Sequence, residues 1–382
     1  MYESSLNERS SDFDWPLLAA AAGLMFVGAA FIFSATGGNS SMISWYRQMW
    51  VHQIIWYAIG LTAAVGLLAA DYSRLTRWSA LFYWAAIVLL VAVFVVGSEH
   101  HGGKRWITLG IFGLQPSEFA KIAFILLMAN FLSRPKEELR LPKVFWTALC
   151  YTMLPFVLIL KEPDLGSAVV FLAISMAMMF VAGVPARMLA MLGGGTAMVG
   201  ALVVVLILFA PARLTMGVLQ YQKTRLQTYF GRNKRSAATY NVDQALISVG
   251  SGGLTGKGWR QGTQYSLGFL PRAGAHNDFI FSVIAEEEGF VGSVVVLTLY
   301  TVLLFSGIKI ASQARDRLGQ LLAVGVVTLL FCHVFINVGM NIRLMPVTGI
   351  PLPLLSYGGS SVVCSLIAIG ILHNIHIYRR SY

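Results

Sequence analysis

Apolar residues in this chain fall in long unbroken runs, neither alternating nor recurring along a single helical stripe, and short polar breaks separate the runs. A segment apolar on every side belongs to a helix with no water-facing surface. A hydrocarbon core of ~30 Å asks for roughly 17–25 such residues. Runs of that kind lie near 15–34, 51–70, 79–97, 116–132, 144–160, 166–184, 188–209, 290–310, 320–340 and 357–378. They predict an all-α polytopic membrane protein of about ten transmembrane helices. One polar stretch, about 210–277, is too long to be a turn and predicts a single long loop between the seventh and eighth spans. No repeat, low-complexity tract or separate soluble domain divides the chain, so residues 1–382 read as one membrane domain.

Composition strengthens that picture. Hydrophobic residues make up 57% and charged residues 12%, where soluble domains carry about 25% charged residues. The formal charge of +11 could suggest nucleic acid, but the cations sit at membrane borders and in the long loop instead of forming one stripe. Anionic head groups and a phosphate-bearing lipid fit better, and nucleic acid is excluded as a partner. Cys150, Cys332 and Cys364 all lie in apolar runs, without spacing for a disulfide framework or a zinc site. The polar leader before the first span lacks the basic start of a cleaved signal peptide.

Orientation follows from the short loops. Arg9, Arg74, Arg77, Arg134, Lys136, Arg140, Lys143, Arg187, Lys309, Arg315, Arg317, Arg379 and Arg380 fall on the side of the termini, against Arg47, Lys104, Arg105, Lys161 and Arg343 opposite once the long loop is set aside. The excess predicts cytoplasmic termini and an extracytoplasmic long loop. Within that loop, 218–230 has the apolar face of an interfacial segment, and Val242, Ala245, Leu246 and Val249 recur at helical spacing before Gly250.

The candidate chemistry sits where polarity is costly or concentrated. Between 250 and 264, six glycines alternate with Lys257, Trp259, Arg260 and Gln264. Such a loop can present cations and an amide to an anion, and it also suits a solvated loop whose glycines make turns. Asp278 follows, just before a long apolar run. Glu118 and Lys121 in QPSEFAKIA share a helical face, either as a structural ion pair or as the floor of a polar cavity. Asp164 in KEPDLGS is a helix-capping carboxylate or a functional one. Trp106 in GGKRWITLG is a belt aromatic or a sugar platform. His100 and His101 adjoin it without a third ligand, which is weak support for metal. Residues 337–361 hold too many prolines and glycines for a continuous helix, and irregular backbone at membrane depth requires burial in protein.

Taken together, KRWITLG, QPSEFAKIA, EPDLGS, VGSGGLTGKGWRQGTQ, HNDFIFSVIAEEEGFVG and LPLLSYGGSS, in that order, resemble the SEDS family of bacterial shape, elongation, division and sporulation proteins, and the elongation type more than the division type. The resemblance spans nearly the whole chain. It implies a peptidoglycan glycosyltransferase that polymerises lipid II at the outer face of the bacterial plasma membrane, partnered by a class B penicillin-binding protein. The family's essential aspartate then falls on Asp278, its loop tryptophan on Trp106, its buried pair on Glu118 and Lys121, and its PDLG aspartate on Asp164. One departure is FLPRAGAHNDF at 269–279, with Arg272 where Glu is usual, Asn277 for Thr, and two extra residues; Asn341, Ile342 and Arg343 are another.

On this reading Asp278 is the general base for the acceptor hydroxyl. Lys257, Trp259, Arg260, Gln264, Trp106 and Arg343 bind substrate, whose undecaprenyl diphosphate leaves with the help of these cations or of a divalent cation such as Mg or Mn. No organic cofactor is needed. The alternative is a flippase for the same lipid-linked precursor, with Glu118, Lys121 and Asp164 as its polar path.

Overall fold

The computed structural model describes residues 13–36, 48–100, 103–109, 112–162, 164–209, 237–270 and 272–379. The interfacial segment expected at 218–230, and His101, lie outside them. Helix α1 (Trp15–Ala35) starts on Asp14, whose carboxylate accepts from the Leu17 amide. Helices α2 (Met49–Leu68), α3 (Tyr72–Arg77) and α4 (Ser79–Val96) follow, then strands β1 (Ser98–His100), β2 (Gly103–Leu109) and β3 (Phe112–Leu114). Next come α5 (Pro116–Leu132), α6 (Lys136–Leu139), α7 (Pro142–Lys161), α8 (Leu165–Ala182) and α9 (Ala186–Phe209). Beyond the long loop's first part lie α10 (Ala237–Ser251), α11 (Thr263–Ser266), α12 (Arg272–Ala275), α13 (Ile280–Ser312), α14 (Arg317–Asn341) and α15 (Gly359–Tyr378).

Eight helices among the described residues are long and apolar enough to cross a membrane: α1, α2, α4, α7, α8, α13, α14 and α15. Helices α5 and α9 occupy the two other runs expected to span. Two features differ from the sequence reading. The loop around Trp106 is a small antiparallel sheet, in which β2 pairs with both β1 and β3. Its β-branched and aromatic residues, bounded by glycines, favour extended backbone. The span expected at 290–310 also begins earlier, because α13 starts at Ile280 and runs through a break at Gly289 (φ 67°, ψ −157°).

Helices α5, α8, α14 and α15 form the buried centre, and nearly every residue of α5 is buried. Small residues set the close approaches. A Cβ on Gly60 of α2 would lie 2.5 Å from Leu366 of α15, and one on Gly325 of α14 would lie 2.7 Å from Ile125 of α5. Within this centre Lys121 donates to Glu118 Oε1 at 2.7 Å, and its Nζ lies 2.8 Å from His333 Nε2. All three side chains are shielded. Because an ammonium has no acceptor, Nε2 accepts and the ring proton sits on Nδ1.

Removing one partner of such a pair leaves a buried charge, at a cost of about 3–5 kcal/mol. Lys121→Met is therefore expected to lower the melting temperature of the detergent-purified protein sharply, and adding Glu118→Gln should recover part of the loss. Strictly additive losses in that double-mutant cycle would show that the pair does not act as a unit.

Candidate active site

The connection between α14 and α15, residues 342–358, has no regular structure, yet Ile350, Leu352, Leu354, Leu355 and Ser356 are buried. Backbone carbonyls in such a place must find donors within the protein. Tyr57 of α2 donates to the Leu354 carbonyl at 2.5 Å, Tyr300 of α13 to Pro353, Gln53 of α2 to Ser356 at 3.2 Å, and Asn337 of α14 to Ile350 at 2.8 Å. Gly28 of α1 packs directly on this chain: a Cβ there would lie 2.6 Å from the Leu354 oxygen.

Asp278 is held against this connection. It lies in the turn between α12 and α13, and three consecutive carbonyls of that turn are bonded from different places. The Tyr357 amide donates to His276 at 2.9 Å and the Ser356 hydroxyl to Asn277 at 2.6 Å. The side-chain amides of Asn337 and Asn341 both donate to the carbonyl of Asp278 itself, at 3.1 and 3.2 Å. Asn341 is oriented in turn by Ser282, whose hydroxyl donates to its Oδ1 at 2.6 Å. Across from the carboxylate stands Gly349 at φ +76°, where a Cβ would sit 3.6 Å from Asp278 Oδ2. The turn that carries Asp278 is thus tied both to α14 and to residues 356–357.

The glycine-rich loop closes on its own chain. Gly252 and Gly256 lie so near α13 that a Cβ would come within 1.9 Å of the Ala285 oxygen and 2.0 Å of the Glu287 oxygen. Only glycine permits that approach, and Gly256 also has φ +78°. The amides of Lys257 and Gly258 donate to the carbonyls of Glu286 and Glu287, and the amides of Phe290 and Val291 return bonds to Gly253 and Leu254. Glu286 is the hub. Its Oε1 accepts from Lys257 Nζ at 2.6 Å and from the Thr263 and Gln264 amides at 2.8 and 3.1 Å, while Oε2 accepts from Ser248 of α10 at 2.9 Å. Glu287 accepts from Ser34 of α1 and from the Arg260 amide.

Of the residues singled out in the sequence, Lys257 is thus ion-paired inside the loop, and Gln264 caps the same carboxylate through its amide. Arg260 (φ 63°) carries its guanidinium 5.3 Å from the Phe33 ring, against which Trp259 also stacks. Arg343 (φ 62°) pairs with Asp243 of α10 at 2.7 Å. Trp106 covers Gly113 of β3. Asp164 caps α8, accepting from the Ser167 amide and hydroxyl at 3.0 and 2.9 Å. Two residues on, Gly166 packs against Thr348 and Ile350, which brings this motif beneath the wall that faces Asp278. Glu118 and Lys121 stay within the helical centre.

Glu286, Glu287, Asn337 and Asn341 did not stand out in the sequence reading. The signal was present: AEEEG places carboxylates at the head of an apolar run, and two asparagines four apart on a span share one face. Among the described residues no three His, Cys, Asp or Glu side chains converge. Holding a magnesium ion shared with substrate phosphates would take only one or two carboxylates.

The chain matches the family described as cell cycle protein (FtsW, RodA, SpoVE) over residues 15–381. It is 35% identical to the peptidoglycan glycosyltransferase MrdB of Escherichia coli K12, over 96% of this chain and 94% of that one. It is also 35% identical to the peptidoglycan glycosyltransferase RodA of Treponema pallidum, over 96% and 98%. Among solved structures, a chain in the work "Structural coordination of polymerization and crosslinking by a peptidoglycan synthase complex" superposes with a TM-score of 0.80 at 28% identity, covering 97% of this chain and 99% of that one.

Glu162, beside Asp164, supplies a pH test. Burial first, and the Asp164 charge second, push its carboxyl up to about 8, against the opposing pull of Arg105. Between the unfolded value near 4.5 and about 8 the folded state keeps a proton that the unfolded state releases. Stability therefore falls as pH rises through that window. Glu162→Gln, neutral throughout, should flatten this part of the melting-temperature profile by a few degrees; unchanged slopes in both proteins would refute the assignment.

Proposed function

Because the chain belongs to the FtsW, RodA and SpoVE family of cell cycle proteins, we propose that Asp278 is the general base with which it builds glycan strands. The protein is a multi-span membrane peptidoglycan glycosyltransferase. Its substrate on this proposal is lipid II, the wall precursor carried on undecaprenyl diphosphate. The acceptor's sugar hydroxyl attacks the anomeric carbon of the donor, the bond from that carbon to the diphosphate oxygen breaks, and Asp278 takes the hydroxyl proton. Direct displacement requires no enzyme nucleophile.

What supports this reading is the fixed place of Asp278. A general base works only within hydrogen-bond reach of its proton, and the turn that carries it is bonded from α14 and from 356–357. The wall that faces the carboxylate at Gly349 carries no side chain. Arg260 is our choice for the leaving diphosphate, since Lys257 is already paired with Glu286. A divalent cation held by Asp278 and the phosphates would add charge neutralisation there. The bias of Lys and Arg supports cytoplasmic termini in the bacterial plasma membrane. A class B penicillin-binding protein as partner fits the solved relative's coordination of polymerization with crosslinking.

The decisive experiment incubates the purified protein, alone and with a class B partner, with labelled lipid II. Asp278→Asn should cut glycan synthesis by at least a hundredfold, within the ~10²–10⁴ range of general-base contributions, while melting near the parent. Parental turnover in the variant would remove Asp278 as the base. Equal redistribution of lipid II between leaflets by both proteins, with no polymer from either, would favour transport.

A further inference from the structure

Asn337 and Asn341 lie four residues apart on one face of α14, and both are fully buried. Their amides make bonds that the packing of two helices does not require. Each donates to the main-chain oxygen of Asp278. Asn337 also donates to the carbonyl of Ile350, next to the glycine that faces the Asp278 carboxylate. One side chain thus ties together the peptide that carries the carboxylate and the wall opposite it. Asn341 spans the other direction, donating to the Asn337 carbonyl at 2.8 Å and accepting from the Ser282 hydroxyl at its Oδ1.

We infer that Asn337 and Asn341 are positioning residues for glycosyl transfer, which set the distance between the Asp278 carboxylate and the 348–350 wall. The inference rests on Asp278 being the base. A carboxylate side chain has few torsions, so its reach is governed by where its peptide sits. Two donors on a single carbonyl restrict how far that peptide can shift. A displacement of about 1 Å at a reacting group can cost on the order of a hundredfold in rate. Neither amide is argued to touch substrate, so substrate affinity should be largely indifferent to them.

Asn→Leu keeps approximate size and removes the donors. The control is Asn374→Leu, at the far end of α15, where an equally buried amide donates to Leu67 and Ala70 at 2.7 and 2.8 Å with no link to Asp278. Turnover and KM for labelled lipid II would be measured per folded molecule, well below each variant's melting temperature. Asn337→Leu and Asn341→Leu should each lose about 10–100-fold in kcat with KM within about twofold of the parent. Asn374→Leu should melt lower and keep parental kcat. If the two α14 variants melt lower yet turn over like the parent, their role is structural only and the inference fails. A parallel Asp278→Asn arm separates the two claims: turnover retained there overturns the assignment of the base and this inference with it. Loss there, with no loss in the asparagine variants, overturns the positioning role alone.

Discussion

A broken backbone inside an apolar body must have every carbonyl answered by the protein itself, and this requirement organises the centre of the molecule. The connection at 342–358 leaves helical geometry where water is not at hand. Its oxygens draw donors from Tyr57, Gln53, Tyr300 and Asn337, on three different helices. An unanswered buried carbonyl costs about 1–3 kcal/mol, so these side chains cannot be exchanged for apolar ones as their neighbours could. The same donors bring α2, α13 and α14 to one place, and Asp278 is mounted there.

A second organising charge lies at the head of α13. Glu286 and Glu287 are buried carboxylates; the loop supplies them with an ammonium, amides and the Thr263 hydroxyl, and α1 adds the hydroxyl of Ser34. The glycines allow the loop's backbone to come near enough to do so. Helix α13 therefore starts at Ile280 despite three consecutive glutamates, and the break at Gly289 lets its first turns meet the loop while the remainder follows the bundle.

Much of this was legible from residues alone. Apolar runs of membrane length became helices because the hydrocarbon core dictates their length, and Asp278 stood out as a carboxylate at the mouth of one. The irregularity of 342–358 followed from Pro346, Pro351, Pro353 and the glycines around them. What the sequence could not convey was the object of a close approach. Gly252 and Gly256 announce that something comes near the loop, and nothing in their spacing says that it is α13 instead of a ligand. Asn337 and Asn341 were hidden for a similar reason: an amide within a span is worth notice only once its carbonyl partners, some sixty residues away in sequence, are known. The sheet around Trp106 escaped because three very short strands leave little periodicity to read.

The bond from Tyr57 to Leu354 joins residues 297 apart in sequence, and that separation has a consequence for biosynthesis. At about 5–20 residues per second, roughly 15–60 s pass between synthesis of the hydroxyl and of the carbonyl it answers. Through that interval α2 has neither Leu366 against Gly60 nor Ala64 seated on Gly370. Until that last helix arrives, α2 lacks the partner it packs against most extensively, although α1 already has α2 beside it and α4, α5, α7 and α8 have neighbours among themselves. A ribosome that stops short of Gly359 leaves α2 without α15 and the 342–358 connection without the helix that follows it, so quality control has a long window in which to recognise an unfinished chain.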